Sequence, residues 1–337
     1  MAAGIANLSN IANALREYYI QPWSNMRDTN KDFMSLLDVK SHPKNTIDFK
    51  IRDMAYSPVW SIAEADMTKF LDGTTVAADG VGSATAFVAP TNHPFINASV
   101  TMRYNYVSVE VPGTVQAGAT GSPASWVNVL KDETDRALED LYRALNQQLL
   151  STANTAGNSG KNLDGLGVLF NTAAGHSYAG VSTTTYPGWT TAADTTTTTL
   201  SIGAMQTMLN KVEGGTELLG SNSTVRQGRV KQIWTSPQQF TAYGNLLTGL
   251  RRYSKEDTLD GGFAKLDFYG HEVVRVLTFP SSYMIYYSGG IEYRELEKLK
   301  TLPKEQNIID GSLVLMGTYS NVVFQNRTKS GLFNALV

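Results

Sequence analysis

From Val127 to Leu149 the residues Val127, Leu130, Thr134, Leu138, Leu141, Leu145 and Leu149 step by three or four positions. That spacing lines up one face of an α-helix. Ser122 stands as N-cap with Pro123 at the first helical position. On the outward face, Asp132 with Arg136 and Glu139 with Arg143 make acid-to-base pairs four residues apart. The expected helix covers about 123–151, roughly 40 Å at about 1.5 Å per residue. A mean helix has only about 11–12 residues. Read by itself, the stripe makes a large core helix.

On either side the pattern changes. Ile5, Leu8, Ile11 and Leu15 suit a short amphipathic helix, followed after Pro22 by polar text and the apolar group Phe33, Met34, Leu36 and Leu37. Residues 1–44 therefore read as an arm that packs on something else. Ile47, Phe49 and Ile51 then alternate with Asp48, Lys50 and Arg52, as in a half-buried strand. Alternation returns at Val100, Met102, Tyr104 and Tyr106 and shifts phase to Val107, Val109 and Val111, which predicts a bulge near Tyr106. Between these strands lies a Gly-, Ala- and Thr-rich tip, so the whole reads as one extended hairpin.

Beyond the long helix, Leu163-Asp164-Gly165-Leu166 marks a turn, and residues 171–199 read as a surface loop or sheet-edge strands. A helix is expected from Ser201 to Val212. Gln232 to Thr235 reads as a strand, and Ser236-Pro237 opens a helix to about Tyr253. Strand patterns follow over 263–278, 283–288, 313–319 and 321–324. Helices and strands mix without regular βαβ alternation, so the class is α+β.

Composition narrows the function. Charged residues make up 17% of the chain and apolar residues 42%. An average soluble domain carries about 25% charge, so one explanation is that much of the surface is covered. The net charge of −2 shows no basic excess for reading nucleic acid. The absence of cysteine excludes disulfides and thiolate metal sites. No apolar run approaches the ~18 residues of a membrane span, and the first residues do not resemble a signal peptide. The expectation is a soluble chain that is not exported.

Catalytic motifs find no support. Ser159-Gly160-Lys161 lacks the rest of a phosphate loop, since Thr155 and Asn162 stand where Gly and Ser or Thr are needed. Gly80-Val81-Gly82 lacks the third glycine of a dinucleotide site. His42, His93, His176 and His271 show no metal-ligand spacing. Glu292, Glu295 and Glu297 alternate with Arg294, Lys298 and Lys300, which favours an ion-pair network over paired catalytic carboxylates. The expectation is a non-enzyme with no catalytic, cofactor-binding or metal residues.

The order of parts resembles that of a known family. An arm, a two-stranded hairpin, the long helix over Asp132 to Leu150, the Asp164-Gly165-Leu166 exit, the passage Ile233-Trp234-Thr235-Ser236-Pro237 and later Phe268-Tyr269-Gly270-His271-Glu272-Val273-Val274, and the close Gly317-Thr318-Tyr319-Ser320-Asn321 follow in series. Together they are similar to the major capsid protein of tailed bacteriophages, the Hong Kong 97-type shell fold shared with encapsulins. The resemblance rests on order across the whole chain, because the family carries no catalytic signature.

That resemblance implies an N-terminal arm at 1–44 and an extended hairpin loop at 45–112. It implies a peripheral domain at 113–170 and 306–337, with the spine helix at about 123–151, and a mainly axial domain at 171–305. It implies a structural protein that self-assembles as pentamers and hexamers into an icosahedral head enclosing packaged double-stranded DNA. The alternative is an encapsulin-type nanocompartment around a cargo enzyme. Implied partners are other copies of the chain, a separate scaffolding protein, a portal, a decoration protein and non-specifically contacted DNA, with no membrane. The implied location is the virion capsid, assembled in the bacterial cytoplasm. Lys69 is the hairpin-tip lysine to weigh for the cross-link some members form, with no cross-link as the default.

Overall fold

The leucine stripe lies on helix α1 (Pro123–Leu149). Thr134, Leu138, Leu141, Leu145 and Leu149 are all buried, as their spacing requires. This is a computed structural model, and it describes residues 32–52, 95–112, 123–171, 173, 175–186, 189–213, 228–248, 266–304 and 311–337. The expected helix near Ile5, the hairpin tip with Lys69 and Gly80-Val81-Gly82, His93 and the Ser122 cap lie outside the described residues. On the outward face Glu139 meets Arg143 as expected, at 3.4 Å, whereas Arg136 turns to Glu133 at 3.3 Å instead of Asp132. Residues three apart are neighbours on a helix surface as much as those four apart.

The strands, in order, are β1 (Asp38–Ser41), β2 (Thr46–Arg52), β3 (Phe95–Thr101), β4 (Arg103–Pro112), β5 (Ser177–Tyr178), β6 (Val181–Ser182) and β7 (Ala192–Asp194). Helix α2 (Ile202–Glu213), strand β8 (Gln232–Thr235) and helix α3 (Pro237–Thr248) follow. The chain closes with β9 (Leu266–Phe268), β10 (His271–Arg275), β11 (Met284–Tyr287), β12 (Ile291–Lys304), β13 (Gly311–Phe324) and β14 (Gly331–Phe333). Ser201 caps α2 by accepting the Ala204 amide at 3.1 Å, and Ser236 caps α3 by accepting that of Gln239 at 3.2 Å.

Two sheets organise these elements. The first has the order β1-β12-β13-β4, with β1 parallel to β12 and the other pairs antiparallel. The second runs β7-β14-β11-β8-β10-β9. Strand β12, inside the span 171–305, joins the first sheet, and β14, inside 306–337, joins the second. Two apolar cores sit on opposite faces of the second sheet. Trp234, Ile285, Tyr287 and Leu332 turn toward α1 and the first sheet. Ile233, Met284, Tyr286 and Phe333 turn toward Met205, Met208 and Val212 of α2. Period-2 geometry sends successive side chains to opposite faces, so β11 is buried on both.

Strands β2 and β3 form a separate antiparallel ribbon from Thr46↔Thr101 to Arg52↔Phe95. The phase shift expected as a bulge near Tyr106 sits instead at Met102. There the chain stops pairing with β2 and starts pairing with β13, in unbroken register from Arg103↔Ser320 to Pro112↔Gly311. Tyr104 and Tyr106 lie outward and Val109 inward, so each strand keeps its own alternation. The arm is also less detached than its sequence suggests. Phe33 and Met34 are fully buried in their own chain, and the Phe33 ring meets Trp234 edge-on at 5.4 Å. Residues 171–199 include the edge strand β7, yet Tyr178, Val181, Trp189 and Ala192 are buried.

Candidate functional site

Three constellations concentrate polar groups, and none has the form of a catalytic centre. The first joins the exit of α1 to the first sheet. Asn321 of β13 uses its whole amide: Oδ1 accepts the Asp164 and Val322 amides at 3.0 and 2.8 Å. Its Nδ2 donates to Thr101 O at 2.8 Å and to Asp164 Oδ2 at 3.2 Å. Burial raises the Asp164 carboxyl above its ordinary range, opposed by Arg103 at 3.8 Å and by the Asn321 hydrogen bond. Gly165 and Gly167 make this turn possible, because a Cβ on Gly167 would stand 2.2 Å from the Thr152 carbonyl oxygen. The turn read as Leu163-Asp164-Gly165-Leu166 is thus a buried junction linking the helix exit, the ribbon end and β13.

The second constellation is a buried cation. Arg327 has no solvent exposure and lies 5.2 Å from the Tyr178 ring centroid and 5.9 Å from that of Trp189. Its Nη2 donates to Asn171 O and to His176 Nε2, both at 2.8 Å. Burial pulls its pKa down to about 10.

The third is the outer face of the first sheet. Tyr104 and Tyr106, both exposed, set their rings edge-on to Tyr319 at 4.6 and 5.8 Å, and the Tyr106 hydroxyl donates to that of Tyr319. Lys300 lies 4.7 Å from the Tyr319 ring centroid and 3.4 Å from Glu297. Gly317 gives the Tyr106 ring its place, since a Cβ there would come within 2.4 Å of Tyr106 Cδ1 and 2.3 Å of Asn105 O. Gly317→Ala is therefore expected to lower stability by about 1–3 kcal/mol, read as a lower urea midpoint with unchanged slope. An unchanged midpoint would show that the sheet accommodates the methyl group.

The other candidates fall apart as sites. Ser159-Gly160-Lys161 closes a turn in which Asn158, Ser159 and Gly160 all have left-handed φ, so no helix N-terminus cradles an anion there. His42 bonds its own loop at Thr46 O, 2.9 Å away. His271 sits 3.4 Å from Glu213. Glu292 is flanked by Lys40 and Arg294, and Lys300 pairs with Glu297, so the mixed charges on β12 neutralise one another. Among the described residues no group of three His, Asp or Glu could hold a metal, and no helix is long and apolar enough to cross a membrane.

No protein-family model matches the chain, and no curated protein matches it. Solved structures do. The capsid asymmetric unit of cyanophage A-1(L) superposes with a TM-score of 0.62 at 14% identity, over 88% of this chain and 90% of that one. The capsid of a native GTA particle gives 0.56 at 11% identity, over 91% and 90%. The holo-SrpI encapsulin complex from Synechococcus elongatus PCC 7942 gives 0.51 at 10% identity, over 89% and 85%. At such identities the likeness is one of fold, and it runs along nearly the whole of each chain.

Proposed function

We propose that this chain, which carries the tailed-phage major capsid protein fold, is a non-enzymatic shell subunit that assembles with copies of itself into the icosahedral head of a tailed phage. The observation that carries this reading is the likeness to the cyanophage capsid over 88% of this chain and 90% of that one. In this reading 1–44 is the arm, 45–112 the extended hairpin loop, 113–170 with 306–337 the peripheral domain around the spine helix α1, and 171–305 the mainly axial domain. The ribbon pairing of Thr46–Arg52 with Phe95–Thr101 suits a loop that reaches over a neighbour. The low charge follows, because uncharged Thr, Gly and Ala surface becomes contact in a closed shell. Double-stranded DNA is the proposed content and a scaffolding protein and portal the proposed partners.

Electron microscopy of the purified protein tests this. Shells, pentamers or hexamers are expected, and discrete small oligomers would overturn it. Removing residues 71–88 should leave the thermal melt within a few degrees of the wild type while blocking shell closure. Closed particles from that variant would refute the hairpin assignment. The likeness to the SrpI encapsulin complex keeps the compartment reading as second. Native particles separate the two: nuclease-protected double-stranded DNA marks a phage head, and a folded cargo enzyme marks a compartment.

A further inference from the structure

Strands β5 and β6 form a small hairpin wedged between the ribbon and the end of β13. Ala179 O accepts the Ser99 amide of β3 at 3.0 Å, and Trp189 lies 6.5 Å from Phe49 of β2. On the other side the Tyr178 hydroxyl accepts the Phe324 amide at 2.9 Å. The ribbon, whose end is held by the Asn321 bond to Thr101 O, is thus attached to the body a second time, through the segment that Arg327 and His176 hold in place.

The chemistry of that hold depends on one proton. A guanidinium only donates, so His176 Nε2 must accept from Arg327 and its proton must sit on Nδ1. Nδ1 lies 2.6 Å from Ala173 O, where an N–H fits. The ring is therefore neutral and engaged at both nitrogens, while its own carbonyl accepts from the Thr183 amide and hydroxyl, both at 2.9 Å. A second proton would remove the acceptor that Arg327 uses and leave two buried cations in contact. Among the described residues the titratable groups around them are few. Arg327 faces the ring from the C-terminal turn, Tyr178 lies two residues on in the same segment, and Asp164 acts on Tyr178 from the α1 exit. Among the described residues no carboxylate forms an ion pair with His176 or Arg327.

We propose that protonation of His176 expels Arg327 from this contact and releases the ribbon's second attachment, at Ser99 and Phe49, while the Asn321 bond at Thr101 stays. The site is an acid-sensitive control of ribbon orientation, and it does not depend on the shell reading. Desolvation and the Arg327 charge hold the His176 pKa below its ordinary value, against the Ala173 hydrogen bond. The sign follows. The attachment is complete above the ordinary histidine pKa of about 6.5 and weakens as the pH falls below it, because the freed ring takes up the proton that the attached ring refuses.

Amide hydrogen exchange read by mass spectrometry on the full chain tests this, with intrinsic rates corrected for pH. Peptides covering 95–101 and 177–183 should exchange about tenfold faster at pH 5.5 than at pH 7.5, as a one-proton linkage allows about tenfold per pH unit. A reference peptide over 138–149 should not change. His176→Gln keeps an acceptor for Arg327 and should abolish the pH dependence. Equal rates at the two pH values in the wild type, or an acid response retained in His176→Gln, would overturn the proposal. Should that variant fail to fold, deuterium exchange at the imidazole C2 position of wild-type His176 decides. A midpoint below about 6.5 supports the proposal and one at or above it refutes it.

Discussion

Asn321→Asp should destabilise the protein more than Asn321→Ala does, although only the Asp variant keeps the shape of the side chain. The amide donates to Thr101 O and Asp164 Oδ2 and accepts from the Asp164 and Val322 amides, the first bond partly buried and the other three fully. A carboxylate keeps the acceptor oxygen but replaces the doubly donating Nδ2 with an oxygen that faces the Thr101 carbonyl and the Asp164 carboxylate. We expect a loss of about 3–5 kcal/mol at pH 7, in the range for a broken buried charge network, against about 1–3 kcal/mol for the Ala variant. The sign of the pH dependence follows from Asp164, whose carboxyl burial already holds above its ordinary range. A second carboxylate raises proton affinity further in the folded state only, so the deficit should shrink as the pH falls below neutrality. Urea midpoints of the three proteins at pH 7 and pH 5 check this, and an Asp variant as stable as the wild type at pH 7 would overturn the four-bond assignment.

Leu138→Asp should prevent folding altogether. Leu138 is 1% exposed in the apolar core that α1 shares with the first sheet. The substitution removes a buried leucine, itself about 2–5 kcal/mol, and adds a carboxylate that must be desolvated or neutralised. The sum rivals the whole stability of a typical domain, about 5–15 kcal/mol. Glu139→Ala, one position on, should change stability by less than about 0.5 kcal/mol, because the Glu139–Arg143 pair stands largely in solvent. Soluble yield and circular dichroism distinguish the two. A Leu138→Asp chain that melts like the wild type would remove α1 from the core.

Local patterns were legible where the residues that decide an element lie within a few positions of one another. The α1 stripe, the helix that begins after Ser201, the Ser236 cap, and strands β8 and β11 needed nothing beyond period and capping chemistry. Strand β12 was not legible, although it is one of the two longest strands at 14 residues. Its charges, Glu292, Arg294, Glu295, Glu297, Lys298 and Lys300, hide the alternation of Ile291 and Tyr293. Arg294 and Lys300 pair with Glu292 and Glu297 within the strand, and Lys40 arrives from β1 to meet Glu292 as well, an encounter 252 residues away in sequence. The misplaced bulge has the same origin. Whether Tyr106 opens a new phase depends on whether β4 pairs with β2 or with β13, and no residue near it carries that information.

The candidate constellations divide along the same line. Arg327 and His176 are polar residues flanked in the sequence by small or polar neighbours, and Asp164 stands between Leu163 and Gly165. Burial alone makes them informative, by leaving one guanidinium with an imidazole for an acceptor and one carboxylate with an amide for a donor. The amino-acid sequence by itself determined the class of the fold, the long helix and the scarcity of surface charge, since period and composition are properties of neighbouring residues and of totals. Only the tertiary structure decided which strand pairs with which, which polar groups lose their water and where the ribbon is anchored. Those outcomes rest on contacts between distant segments, and a hydrogen bond or buried charge has its energy only once both partners have been brought out of solvent.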